Sequence, residues 1–449
     1  MSADRLDSAA AVARAAGAAM HHGPGDRPAP EGATCDSRQA APGLLFVGLP
    51  GRRADGGEFA PAALAAGAWG VMVEARHARA AVAAAAPDQV VLAAADPLRA
   101  LQRLARARVG ALAAAGARVV AITGSTGKTS TKDILAALLG ASGVRVYASP
   151  QNLNTEIGLP LAVLGAPAGV EVLVLEMAMR GEGQIAELAA IARPDVGAIT
   201  NVGPVHLELL GTVERIARAK AELLGALAPG SGAVVPADEP LLRPYLRSDL
   251  RTVMVGPGGD VSVVTSGDGY LELQLPWGRL SLAVAYDEPH NLANTACAVA
   301  CALALGILPR GRVEPRFSRL RGETLERDGV RFIVDCYNAN PMSMRAALDN
   351  LARQEAQRRI AVLGTMAELG ERTAELHREV GRTAAERGVD VLVCVGKEAR
   401  EYAHDFAGEA HLCSSPEEAR ALLARLARPG DVVLLKASRA VGLERAVGL

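Results

Sequence analysis

Short runs of aliphatic and β-branched residues alternate along most of this chain with longer stretches whose apolar positions recur at helical spacing. Between about 117 and 315, the runs at 118–123, 171–177, 196–202 and 232–236 predict strands with helices between them. Near-continuous apolar strands alternating with helices predict a parallel sheet covered on both faces. The segments 252–256 and 261–286 read as antiparallel β structure, and about 290–305 reads as a closing helix. A further block, about 316–449, predicts strands at 331–335, 359–364, 390–396 and 431–436. Within it, Ser415-Pro416-Glu417-Glu418 predicts a capping box with proline at the first helical position. Before 117, the runs LLFVGL and WGVMVE within 44–75 and the run at 89–93 predict short strands, and 97–116 a connecting helix. Residues 1–30 end in a turn-rich connector. The expected class is α/β in three domains, 1–112, 113–315 and 316–449, with no internal repeat.

The most informative segment is RVVAITGSTGKTSTKDILAALL at 118–139. An apolar run, Val119 to Thr123, enters the turn Gly124-Ser125-Thr126-Gly127; Lys128, Thr129 and Ser130 follow, and a helix-period run begins. Strand, glycine turn, Lys-Thr and helix together suit a triphosphate. Glycines let backbone N–H groups close around phosphates, and the helix N-terminus faces them with its positive dipole. Lys128 is placed to reach the β- and γ-phosphates and the Thr129 hydroxyl to take Mg²⁺. The general phosphate-loop pattern asks for a glycine where Ile122 stands. The shorter form Gly124-x-x-Gly127-Lys128-Thr129 is commoner in ATP-dependent amide-forming ligases.

Net charge is −1, so there is no general attraction to nucleic acid or anionic lipid. Alanine inflates the apolar content. Asp4, Arg5, Asp7 and Arg14 interrupt the first stretch, which argues against a signal peptide, and no window of eighteen apolar residues predicts a membrane span. Six cysteines without a Cys-x-x-Cys read as free thiols of a cytoplasmic protein, with Cys297 and Cys301 packed in a core.

Three more constellations belong to the central block. The apolar run Val172 to Leu175 ends in Glu176, and an acid at a parallel strand end beside a phosphate loop can hold Mg²⁺. His206 follows another strand end, where a lone histidine is more often a structural residue than a ligand. Lys220 falls on the apolar stripe of Ile216, Leu223, Leu224 and Leu227. Spacing leaves two readings open there. One is a lysine whose stem packs while its amine reaches water. The other is a buried amine of lowered pKa that adds carbon dioxide, becoming an anionic carbamate ligand.

The phosphate loop, Glu176, His206 and Lys220 together resemble the central domain of the Mur ligases, which build the peptidoglycan stem peptide. Asp335-Cys336-Tyr337-Asn338-Ala339-Asn340-Pro341-Met342-Ser343-Met344 resembles the D-S-Y-N-A-N-P-x-S-M signature of the MurF type. The stretches 152–160, 361–370 and 430–436 agree with it, as do Asp36-Ser37-Arg38 and Pro42 to Val47 near the start. The resemblance covers about residues 34–445.

It implies a small α/β UDP-binding domain, a central P-loop ATPase-like doubly wound sheet with added antiparallel strands, and a C-terminal Rossmann-like domain. It implies ATP-dependent joining of D-alanyl-D-alanine to a UDP-N-acetylmuramoyl tripeptide through an acyl phosphate, in a cytoplasmic monomer. Lys128 and Thr129 would bind phosphate and the first Mg²⁺, Glu176 one metal, and His206 with carbamylated Lys220 the second. Asn291, Arg321 and Asp335 would contact ATP. Ser37, Arg38, Asn154 and Thr155 would grip the UDP-sugar substrate.

Three departures stand out. Thr365 replaces the acid of a usual G-D-M, so that acid's contribution is missing or shared with Glu368; Lys436-Ala437-Ser438 replaces a usual K-G-S, and Glu176-Met177-Ala178 a usual E-M-G. Folylpolyglutamate synthase shares the loop and the lysine but carries a D-G-A-H-N-P-type segment where this chain has Asp335 to Asn340. The tripeptide-forming Mur ligase carries a D-Y-A-H-T-P type. A nucleotide-driven switch or motor would hydrolyse ATP without an amine substrate.

Overall fold

The structure, a computed structural model, describes residues 6–267 and 269–449. Asp4 and Arg5, which weighed against a signal peptide, lie outside these. Among the described residues no helix is long and apolar enough to cross a membrane.

The central sheet has six strands in the spatial order Arg251–Val255, Gly232–Pro236, Val196–Ile199, Arg118–Thr123, Val172–Glu176, Val146–Ala148, and every neighbouring pair is parallel. After Arg118–Thr123 the chain builds two strands on one side, then crosses to build three on the other. The C-terminal edge of that strand is therefore a topological switch point, where open α/β sheets form their ligand crevices. The expectation at 252–256 is corrected here: Arg251–Val255 pairs in parallel with Gly232–Pro236 and closes the sheet. Its burial is only partial, as befits an edge, so its pattern mimics an antiparallel strand. The segment 261–286 is antiparallel as expected, in strands Ser262–Gly267, Tyr270–Leu275 and Gly278–Val284.

Two apolar layers sandwich the central sheet. On one face, Ile122, Val174 and Ala198 pack under the helices Lys128–Ala141 and Pro289–Ala304. On the other, Val119, Leu173 and Ile199 join a larger cluster that runs on without a break to Met344, Leu363 and Leu392 of the C-terminal region. That region carries its own six-stranded sheet, ordered Glu323–Arg327, Val330–Asp335, Val432–Lys436, Arg359–Gly364, Val391–Val395, Glu409–Cys413. The first pair is antiparallel and the rest parallel. Glu323–Arg327 and Glu409–Cys413 are half-exposed edges whose polar content hides them in the sequence. The N-terminal sheet has five strands, with Ala19–His22 antiparallel on its edge inside what reads as a connector.

Ser415 caps the helix Pro416–Leu426 by accepting from Glu418 N–H at 3.2 Å. The Glu418 carboxylate turns to Ser414 N–H and Oγ–H instead of back to the cap, so the expected box is half made. A complete box stands at Asn340 and Ser343, where the helix Pro341–Ala352 begins. All six cysteines are free thiols, and Cys297 and Cys301 are buried.

Tyr402 is completely buried, and its hydroxyl donates to Gly364 O at 2.9 Å at the end of a C-terminal strand. Tyr402→Phe removes one neutral hydrogen bond and is expected to cost about 1 kcal/mol. Urea unfolding followed on the C-terminal region's own transition checks this.

Candidate active site

Arg118–Thr123 delivers the chain to Gly124, and the helix Lys128–Ala141 begins four residues later. Gly124 has φ 149°, and a β-carbon there would lie 1.9 Å from the Thr200 hydroxyl. Only glycine lets the two strand ends approach so closely. Gly127, at φ 76°, opens the helix. The neighbouring strand end props the loop. Ser125 N–H donates to Asn201 O (3.1 Å), Thr126 N–H to Asn201 Oδ1 (2.9 Å), and the Thr200 hydroxyl to Thr126 O (2.5 Å). The first-turn N–H groups at Lys128, Thr129 and Ser130 have no helical partner and remain for an anion. Lys128 Nζ folds back to donate to Gly124 O at 2.9 Å. Burial pushes its pKa down, the Glu176 carboxylate pulls it up, and the Arg321 guanidinium lowers it again.

Glu176 ends the strand beside the loop and is buried. Its carboxylate accepts from Thr129 Oγ1 at 2.7 Å and from Asn154 Nδ2 at 2.9 Å, and among the described residues it has no ion-pair partner. A buried carboxylate held only by neutral donors is suited to a bound cation. The Thr129 hydroxyl and Glu176 carboxylate are hard oxygen donors, so this pair fits magnesium. Among the described residues no three His, Cys, Asp or Glu side chains form a metal cage. Magnesium does not require one, since it takes one or two protein oxygens together with waters and phosphates.

His206 stands at φ 54°, and its Nδ1 is hydrogen-bonded to the Glu368 carboxylate of the C-terminal region. Desolvation lowers its pKa against the pull of Glu368. Lys220, on the helix Val213–Ala226, is only 2 % exposed. The side chain is packed almost wholly inside, which favours the buried-amine reading over the water-reaching one. Burial, with Lys128 as a second cause, drives its pKa well below the ordinary lysine value.

Arg321 stacks over the Tyr337 ring at 4.2 Å, and its Nε is buried without a partner among the described residues. Asp335 pairs with Lys436 Nζ at 2.5 Å, and that amine also donates to Asn338 O at 3.1 Å. Asn291 is buried in the first turn of Pro289–Ala304 and donates to the Glu288 carboxylate at 3.1 Å.

One cleft of about 1300 Å³ receives most of these groups: Ser125 to Ser130, Asn154, Thr155, Glu176, His206, Asn291, Arg321 and Asp335 line it. Lys220 is not among the residues that line it. Ser37 and Arg38 lie apart, on the turn Ser37–Gln39 of the N-terminal sheet, where exposed Arg38 pairs with Asp36 at 2.7 Å. Sequence reasoning gave no role to Lys436, which closes an apolar strand as Glu176 does, and weighed Glu368 only as a stand-in for the acid missing at Thr365. A charged residue ending an apolar run was the available signal for Lys436. None in the sequence paired Glu368 with His206.

A glycine loop at the switch point of a parallel sheet, with a buried carboxylate on the adjacent strand, defines a nucleoside-triphosphate-binding α/β protein. Family descriptions match in three pieces: Mur ligase family, catalytic domain, over 31–116; Mur ligase middle domain over 122–302; and Mur ligase, glutamate ligase domain, over 316–439. The UDP-N-acetylmuramoyl-tripeptide–D-alanyl-D-alanine ligase of Mycobacterium bovis is 41% identical, covering 91% of this chain and 89% of that one. Acinetobacter baumannii MurF superposes with a TM-score of 0.85 at 28% identity over 98% of this chain and 97% of its own. Thermotoga maritima MurF, in complex with ADP, gives 0.80 at 33% identity over 92% and 96%. The chain belongs to the Mur ligase family, and within it to the MurF type.

Lys220 generates a pH prediction. Where the folded chain holds the amine neutral and the unfolded chain protonates it, the unfolded state binds more protons and stability rises with pH. The rise runs from the lowered folded pKa up to the ordinary lysine value of about 10.4. Lys220→Met should therefore raise the melting temperature at pH 7 in carbon-dioxide-free buffer. The gain should shrink towards pH 10; a gain independent of pH would contradict a neutral buried amine.

Proposed function

We propose that this protein is the ATP-dependent ligase joining D-alanyl-D-alanine to UDP-N-acetylmuramoyl-tripeptide, with ADP, phosphate and the UDP-linked pentapeptide as products. One observation carries the reading. The cleft that holds the phosphate loop of the central sheet also takes Arg321, Asp335 and Tyr337 from the C-terminal region. In the division of labour proposed here, residues 1–112 bind the UDP-sugar through Ser37 and Arg38, 113–315 bind ATP, and 316–449 complete its site. Asn154 and Thr155 meet the substrate from the central unit. The enzyme acts as a cytoplasmic monomer.

A carboxylate at neutral pH resists nucleophiles because its own charge repels them. Transfer of the γ-phosphoryl group to the tripeptide carboxylate forms an oxygen–phosphorus bond, breaks the bond to the β-phosphate, and releases ADP. The dipeptide amine then attacks the acyl carbon, phosphate leaves with the carbon–oxygen bond electrons, and the amine loses a proton. The chain's task is alignment and charge neutralisation. Lys128, released from Gly124 O, reaches the transferring phosphate; the loop N–H groups hold its neighbours. Arg321, already stacked and with a free Nε, reaches the phosphates from the opposite wall. Asp335 and Asn291 contact the nucleotide.

Thr129 and Glu176 would hold one magnesium ion, and His206 with Lys220 a second. Bound there, magnesium neutralises phosphate charge. As an ammonium, Lys220 would repel the second ion. As a neutral amine it adds carbon dioxide, forms a nitrogen–carbon bond, releases a proton and becomes an anionic oxygen donor. Its burial and lowered pKa support that step.

Incubation with ATP, Mg²⁺, D-alanyl-D-alanine and either the lysine- or the diaminopimelate-containing UDP-muramoyl tripeptide should give pentapeptide by mass, with ADP and phosphate. AMP and pyrophosphate would defeat the acyl-phosphate route, and phosphate release without the dipeptide would favour a nucleotide switch. Lys128→Ala should lower turnover on the order of 10²-fold or more.

Lys220→Ala should lose most activity, and acetate should restore part of it by placing a carboxylate in the vacated space. Lys220→Arg should not recover. Full activity in Lys220→Ala would remove the carbamate from the mechanism.

A further inference from the structure

The loop after the strand Arg359–Gly364 reaches out of the C-terminal region and touches the central one at the turn after His206. Glu368 O accepts from Glu208 N–H at 3.1 Å, while the Glu368 carboxylate meets His206 Nδ1. Both residues carry a β-carbon in left-handed backbone, with φ 62° and 54°. L-residues rarely hold that conformation unless their surroundings impose it.

The surroundings of the loop do impose it. Met366 N–H donates to His377 Nε2 at 3.1 Å, and His377 Nδ1 donates to Thr373 O at 2.7 Å. Ala367 N–H donates to Ser438 Oγ at 2.9 Å, and the Thr373 hydroxyl donates to Gly370 O at 2.6 Å. Met366 and Leu369 are buried. Gly370, at φ 60°, lies so close to the partner turn that a β-carbon there would stand 3.2 Å from Glu208 Cα. Glu368 thus sits on a stiff arm, braced from behind and pressed against the central region.

A carboxylate only accepts, so the Nδ1 that faces Glu368 carries the proton. In a neutral imidazole the other nitrogen, Nε2, then presents a lone pair. His206 lines the cleft, and Nε2 is the nitrogen left for a ligand.

We propose that Glu368 is a positioning residue: the arm 365–370 carries it from the C-terminal region to fix His206 in the Nδ1–H form, so that a ligand-competent imidazole exists only when the C-terminal region is docked. This rests on the reading of His206 as a ligand. Docking and assembly of the histidine site become one event. The residue that orients the histidine comes from a different region than the histidine itself, 162 positions away in sequence. Outer partners of this kind typically change metal affinity or activity by about 10–100-fold when removed.

The test uses the full chain with isotope-labelled histidine, and His206→Gln to assign the His206 signals. Nitrogen shifts at neutral pH should report the Nδ1–H form of His206 in the parent protein, and Glu368→Ala should lose that preference. Glu368→Ala should lower kcat by about 10-fold or more, leave KM for ATP within about twofold, and weaken Mn²⁺ binding by about 10-fold or more. Glu368→Gln should recover part of each, because its amide oxygen can still accept. Gly370→Ala, which leaves the carboxylate in place but pushes the arm off Glu208, should reproduce the loss. An Nε2–H form of His206 in the parent protein would overturn the proposal, as would a tautomer unchanged by Glu368→Ala. A parent protein that makes no pentapeptide but shows the Nδ1–H form, lost in Glu368→Ala, would instead defeat the ligase reading.

Discussion

Two buried charge-bearing groups stand near the C-terminal edge of the central sheet, and among the described residues no opposite charge is bonded to either. Glu176 is held by a hydroxyl and an amide, and Lys220 lies inside a helix face with another cation as its electrostatic neighbour. Folding alone does not favour such an arrangement, since burying an uncompensated charge costs free energy. It makes sense in a site completed by cations and phosphates. The glycine loop, the propping contacts from Thr200 and Asn201, and the sheet's crossing direction all serve to keep these groups at one spot.

The C-terminal region depends on the same spot. Arg321 is stacked with its Nε unpartnered, and Asp335 is matched to Lys436. Its buried layer continues without interruption into that of the central sheet. The half-site it offers is therefore packed against the half-site it complements. The arm bearing Glu368 is the polar counterpart of this apolar contact: it meets His206 and is braced within its own region by His377 and Ser438.

The strands of the two large sheets were legible where both faces are buried, because continuous apolar runs leave little else to be. Edges were not. Arg251–Val255, Glu323–Arg327, Glu409–Cys413 and Ala19–His22 are largely exposed or only partly buried, and without a continuous buried run they imitate loops or antiparallel strands. The half-made box at Ser415 failed for a local reason: Glu418 found a nearer donor in Ser414.

The sequence by itself determined the phosphate loop, because strand, glycine turn, lysine and helix start are neighbours along the chain and their geometry is local. It also determined that Glu176 ends a strand and that Lys220 lies on an apolar stripe. Only the tertiary structure decided that Lys220 is almost completely buried, since a stripe does not reveal what covers it. Only the tertiary structure brought Arg321 and Asp335 to the loop and Glu368 to His206. Those meetings join residues more than a hundred positions apart in the chain. They follow from how two sheets pack against each other, which no local pattern encodes.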